Sequence, residues 1–104
     1  MKFNDLPKQK RLLIYMFYYE AESSNAITMS KNGDDIIAYG ISKNKTSLAN
    51  MLYNLRKKKL VSETILRDGS FAYPLTISGQ DEAKRWIERY DEDECLPGNE
   101  DKDP

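Results

Sequence analysis

Residues 41–83, ISKNKTSLANMLYNLRKKKLVSETILRDGSFAYPLTISGQDEA, decide the fold. Leu48, Leu52 and Leu55 recur at spacings of four and three, which places them on one side of a helix from about Thr46 to Lys58. Val61–Arg67 and Ser70–Ile77 flank Asp68-Gly69, a dipeptide suited to the two-residue type I′ turn of a β-hairpin. That turn pairs Leu66 with Phe71, Thr64 with Tyr73 and Ser62 with Leu75, so Phe71, Tyr73 and Leu75 are expected to share a core-facing side. Pro74 would then oppose Glu63 at a hydrogen-bonding position, and the ladder should break there or lie at an edge. Leu75-Thr76-Ile77-Ser78-Gly79 restarts a helix, capped by Thr76 or Ser78, with Ala83, Trp86, Ile87 and Tyr90 on its apolar side.

Upstream, a first helix begins near Pro7, a residue that suits an opening turn. Leu12, Leu13, Ile14, Tyr15, Met16, Phe17, Tyr18 and Tyr19 make it apolar nearly all round. A small domain can cover one such face, so the remainder predicts a partner, most simply a second copy. Glu22-Ser23-Ser24-Asn25 reads as a polar loop and Ile27–Met29 as a short strand. Asn32 and Gly33 are expected to break the chain, with Asp34 and Asp35 opening a second helix that Gly40 ends.

A chain of 104 residues supports one small domain. Its longest apolar run, Leu12–Tyr19, is far short of a membrane span. Cys95 is the only cysteine, which precludes an intrachain disulfide and fits a reducing cytoplasm. Histidine is absent, removing the commonest metal ligand and the usual general base at neutral pH. Neither a metal, a cofactor nor a catalytic site is therefore expected, and the residues specify no small-molecule effector.

The net charge of −1 hides a strong asymmetry. Residues 91–104 hold seven acidic side chains against Lys102 alone, whereas the first 90 positions hold 15 basic and 10 acidic residues. Residues 1–90 are thus read as the folded domain, and 91–104 as an acidic, poorly ordered tail marked by Pro97 and Gly98. From Lys43 to Lys59 six basic residues occur without one acid, a pattern that attracts phosphates when it lies on a helix following a turn.

The leucine-spaced helix Ser47–Lys59, followed by Leu60-Val61, the hairpin and Tyr73-Pro74-Leu75-Thr76-Ile77-Ser78-Gly79, resembles the small winged helix-turn-helix transcription regulators of prokaryotes, nearest to the MarR-like group and the compact archaeal regulators. The resemblance implies an α+β, mainly α fold: a three-helix core, a two- or three-stranded β-wing and a C-terminal helix. It also implies binding of double-stranded DNA, with residues 46–58 in the major groove. Thr46, Ser47, Asn50 and Asn54 would read base edges, because hydroxyl and amide groups both donate and accept. Lys43, Lys45, Lys57 and Lys58 would contact phosphates, Tyr53 the sugar-phosphate backbone or a thymine methyl, and Arg67 and Ser70 would form the wing tip. Lys59 departs from the pattern, standing where such regulators usually carry a glycine.

Two functions follow. In the first, the chain is a homodimeric regulator whose seam includes Tyr15, Tyr18, Tyr19, Trp86 and Tyr90. In the second, it is an adaptor for a replication, viral or host-defence protein, docking through the aromatic surface around Tyr15, Tyr18, Trp86 and Tyr90.

Overall fold

The structure, a computed structural model, describes residues 3–95, with side chains of the last helix described to Arg89. Four helices, α1 (Lys8–Ser23), α2 (Met29–Ala38), α3 (Lys45–Lys57) and α4 (Ile77–Cys95), enclose a sheet of three short strands, β1 (Ile27–Thr28), β2 (Thr64–Ile65) and β3 (Phe71–Tyr73). The order β1-β3-β2 is antiparallel throughout. This is the mainly helical winged helix-turn-helix architecture, with a three-stranded wing.

The central helix is α1. Leu12, Leu13, Ile14 and Met16 are all buried, against α4 on one side and the rest of the core on the other. The expectation of a broad uncovered apolar surface on this helix needs correction, since Tyr18 is its one large apolar side chain in the exposed class. Tyr15, Phe17 and Tyr19 stay half-buried, so neighbouring elements of the same chain supply much of the cover that the sequence pattern assigned to a partner. At its end, Ser23 still lies within the helix and Ser24 turns left-handed at φ 61°.

The second helix begins earlier than Asn32-Gly33 implied. Thr28 caps it by accepting the Lys31 N–H, while Asn32 Oδ1 accepts the Thr28 N–H at 3.0 Å. These reciprocal bonds make Asn32 part of the helix start. Gly33 does not break the helix either: it is buried inside α2, where an added Cβ would come within 3.3 Å of the flexible Lys45 side chain. The expected stop at Gly40 is present, one residue past Tyr39. Gly40 takes φ 75° and its N–H reaches the Ile37 carbonyl, while Ile41 N–H reaches that of Ile36. This is a Schellman closure, with buried Ile36 and Ile41 as its apolar pair.

The hairpin register differs by one residue from the reading above. Thr64 pairs with Ala72 and Ile65 with Phe71. The turn is a three-residue loop: Gly69 N–H donates to Leu66 O, Leu66 N–H donates to Ser70 O, and Gly69 sits at φ 86°. A type I turn followed by a left-handed glycine bulge uses Asp-Gly as readily as the two-residue turn does. Asp68 decides between them, since its Oδ1 accepts both the N–H and the hydroxyl of Ser70. Phe71 leaves the expected core-facing set, being 42% exposed on the outer side of the wing with Ile65 at 68%, and Ala72 is buried; Leu75 is buried and Tyr73 packs against the core as expected. The ladder does break at Pro74, opposite Ser62 rather than Glu63: Pro74 O accepts from Ser62 N–H, and pairing resumes only as an isolated Val61–Leu75 bridge.

Thr76, of the two candidates, caps α4 by accepting the Gly79 N–H at 3.0 Å. The helix passes the expected boundary at residue 90 and runs to Cys95, nothing before Pro97 being a helix breaker. The rest of the acidic segment, 96–104, lies outside the described residues. Among the described residues no helix is long and apolar enough to cross a membrane.

Candidate nucleic-acid interface

Helix α3 is held from three directions. Leu48, Leu52 and Leu55 bury its inner side in the common core. Its start is fixed by Asn44, whose Oδ1 accepts the Ser47 N–H at 2.8 Å, and Ser42 in turn donates to Asn44 O. Its end closes through Lys59 at φ 63°, with Lys59 N–H bonded to Arg56 O and Leu60 N–H to Leu55 O. That turn is clamped to α4: Thr76 donates its N–H to Leu60 O and its hydroxyl to Lys59 O. Gly79 completes the clamp, because a Cβ at that position would fall inside contact distance of the Leu60 carbonyl. The Leu-Thr-x-x-Gly motif is thereby explained as a buried anchor, a cap and a close-approach site.

With the inner side fixed, the outer side presents a polar surface. Thr46, Asn50, Tyr53, Asn54 and Lys57 are exposed, and Ser47 is half-buried with its N–H already used by the cap. Lys43 is exposed in the preceding loop. Lys57 Nζ lies 5.5 Å from the Tyr53 ring centre, so ammonium and phenol occupy one patch. Tertiary structure brings acids towards the cationic stretch that contains none. Lys45 Nζ is 3.7 Å from Asp34, and Arg56 is 3.4 Å from Glu63. The first pair is well exposed and holds Lys45 only weakly. Lys58 turns to the start of α1, where it donates to Gln9 Oε1 at 3.2 Å.

The wing tip is electrostatically mixed. Arg67 is exposed, but the adjoining Asp68 carboxyl is held below the usual range by hydrogen bonds from the Ser70 side chain and backbone. Ser70 spends its hydroxyl on that carboxylate at 2.6 Å. Neither of the two expected tip residues therefore adds much net positive field.

The aromatic residues assigned to a seam do not all come together. Tyr15 and Tyr19 stack at 6.3 Å, and Tyr15 also meets Tyr39, which is 64% exposed. Tyr15 is further committed inward, its hydroxyl accepting from buried Asn32 and its pKa raised above the usual tyrosine value by burial. Tyr18 stands exposed, edge-on to Phe17. Trp86 instead belongs to the α1–α4 junction. Its Nε1 donates to Glu82, and its ring lies 5.5 Å from Lys10 Nζ and 5.1 Å from the Arg89 guanidinium. Tyr90 is helical, with its side chain outside the described residues.

Among the described residues no cluster of metal-ligating side chains occurs. A groove of about 630 Å³ opens between the start of α1 and the flank of α3.

The chain matches no protein-family model and no curated protein. Among solved structures it is similar to MepR, a transcription regulator of the Staphylococcus aureus multidrug efflux pump MepA, with a TM-score of 0.66 and 24% sequence identity. The likeness covers 84% of this chain and 58% of MepR, so the chain spans little more than half the length of that regulator. At this identity the resemblance is one of fold.

Proposed function

We propose that the chain is a MarR-like winged-helix transcription regulator that binds double-stranded DNA through α3. The observation that carries this reading is the exposed face of Thr46, Asn50, Tyr53, Asn54 and Lys57 on a helix with a fixed start and end, within a stretch free of acids from Lys43 to Lys59. A fold shared with a solved transcription regulator supports it.

In this reading Thr46, Ser47, Asn50 and Asn54 meet base edges in the major groove. Lys43, Lys45, Lys57 and Lys58 hold phosphates, and Tyr53 lies on the backbone beside Lys57. The wing, with Arg67 and Ser70 at its tip, contributes little beyond placement. The regulator acts in the cytoplasm, without cofactor or catalysis, as a homodimer on a two-fold operator. Exposed Tyr18 and helix α4, on which Trp86 and Tyr90 lie, are the elements assigned to the seam in this reading.

A duplex titration over a salt series tests the reading. Affinity should fall steeply as salt rises, and replacing Asn50, Asn54 and Lys57 together by alanine should abolish sequence preference and reduce the salt slope by about 1. Salt-independent binding, or an unaltered triple variant, refutes it. Sedimentation of the full chain should give twice the mass of a chain of 12.1 kDa.

A further inference from the structure

The groove between α1 and α3 gathers cationic side chains that are distant in sequence. Lys8 lines it from the first turn of α1, Lys43 from the loop before α3, and Lys58 from the end of α3, with Ser47 and Asn50 along the α3 wall. Lys10 also borders it but is committed to Glu82 at 2.8 Å. Among the described residues Lys8 and Lys43 form no ion pair, and Lys58 makes only its neutral bond to Gln9. The α1 start adds to this field: Pro7 provides no side-chain cap, and no acidic residue stands in the first turn. Asn50 belongs both to the groove wall and to the exposed face of α3, so the two surfaces are continuous.

We infer that this groove extends the phosphate-binding surface of α3 onto α1, with Lys8 joining Lys58 and Lys43 on the DNA strand bordering α3. The inference rests on the DNA-binding reading and brings α1 into a contact otherwise confined to α3, the loop before it and the wing. Gln9 is a positioning residue, holding the Lys58 ammonium at the mouth of the groove. Phosphates are the fitting ligand because the groove is open along its length, carries unpaired ammonium groups and holds no carboxylate among its lining residues.

The experiment is an anisotropy titration of operator and unrelated duplexes with the full chain across a potassium chloride series. Lys8→Gln and Lys58→Gln should each lower the log–log salt slope by about 1 and weaken both duplexes equally. Lys84→Gln, an exposed lysine in a separate hollow on α4, provides the matched loss of charge and should leave the slope unchanged. Gln9→Glu places a carboxylate in the groove at a position where the helix dipole favours it; it should weaken binding several-fold without lowering the melting temperature, which excludes unfolding as the cause. If Lys8→Gln and Gln9→Glu bind like Lys84→Gln while Asn54→Ala loses sequence preference, the groove assignment is overturned and the α3 reading stands. If the unaltered chain shows no salt-dependent duplex binding, both are overturned.

Discussion

Lys59 carries the most visible cost at the scale of single residues. It occupies the left-handed position that closes α3, at φ 63°, where a side chain crowds its own backbone. Glycine removes that crowding but loosens the unfolded chain, so Lys59→Gly should stabilise the fold by a net of roughly 0.5–1 kcal/mol, read from chemical denaturation. Gly79 presents the opposite case. At an open helix position Gly→Ala would stabilise by about 1 kcal/mol. Here the added methyl meets the Leu60 carbonyl, and Gly79→Ala should instead destabilise by about 2 kcal/mol or more. A higher melting temperature for that variant would contradict the clamp between α3 and α4. Both residues were noticed as sequence motifs, but neither the sign nor the cause of these effects follows until φ and the neighbouring carbonyl are known.

Elements are joined by a few polar contacts whose titration has opposite signs. On α4, Glu82 accepts from Lys10 and from Trp86 Nε1, and these bonds hold its carboxyl below the usual range. The stabilisation is present above the ordinary glutamate pKa and is lost as pH falls through the depressed one. Glu82→Gln should cost on the order of 1 kcal/mol at neutral pH, discounted for partial exposure, and the difference from the unaltered chain should shrink in acid. On α1, Glu20 is raised by burial, an effect its bond from the Leu75 N–H only partly offsets. Its contribution is therefore present below the ordinary pKa and is lost as pH rises through the raised value. Glu20→Gln can still accept the Leu75 N–H and should flatten that limb of the stability profile, measured by thermal melts across pH. Local sequence resolves such elements unevenly. Helix α3 and the cap at Thr76 were legible because leucine spacing and hydroxyl capping act within a few residues. The hairpin register was not, because Asp68-Gly69 serves two turn types and the choice lies in how Asp68 binds Ser70. Helix α2 departs from its sequence pattern because Asn32 and Gly33, ordinary breakers in isolation, are respectively a capping partner and a buried position inside the helix.

For the whole molecule, the distribution of charge matters more than its sum. The basic face of α3 and the lysine groove lie on the folded body, while the acidic stretch from Asp91 onward begins in the last turn of α4. A chain ending at Tyr90 should bind duplex DNA more tightly than the full chain at low salt and equally at high salt, as expected if the acidic segment only opposes phosphates through a screened field. Binding weakened by that truncation would instead indicate that 91–104 belongs to the interface or the seam. The order of elements, the buried stripe of α3, the restart at Thr76 and the cationic stretch are legible in one dimension, because spacing, capping and composition are local properties. Tertiary structure decided the hairpin register, the true start of α2 and the cover over α1. It also decided which cations are paired, since Asp34, Glu63 and Glu82 reach Lys45, Arg56 and Lys10 from outside their own helices. Those outcomes depend on distances between segments far apart in the chain, and a one-dimensional pattern does not carry them.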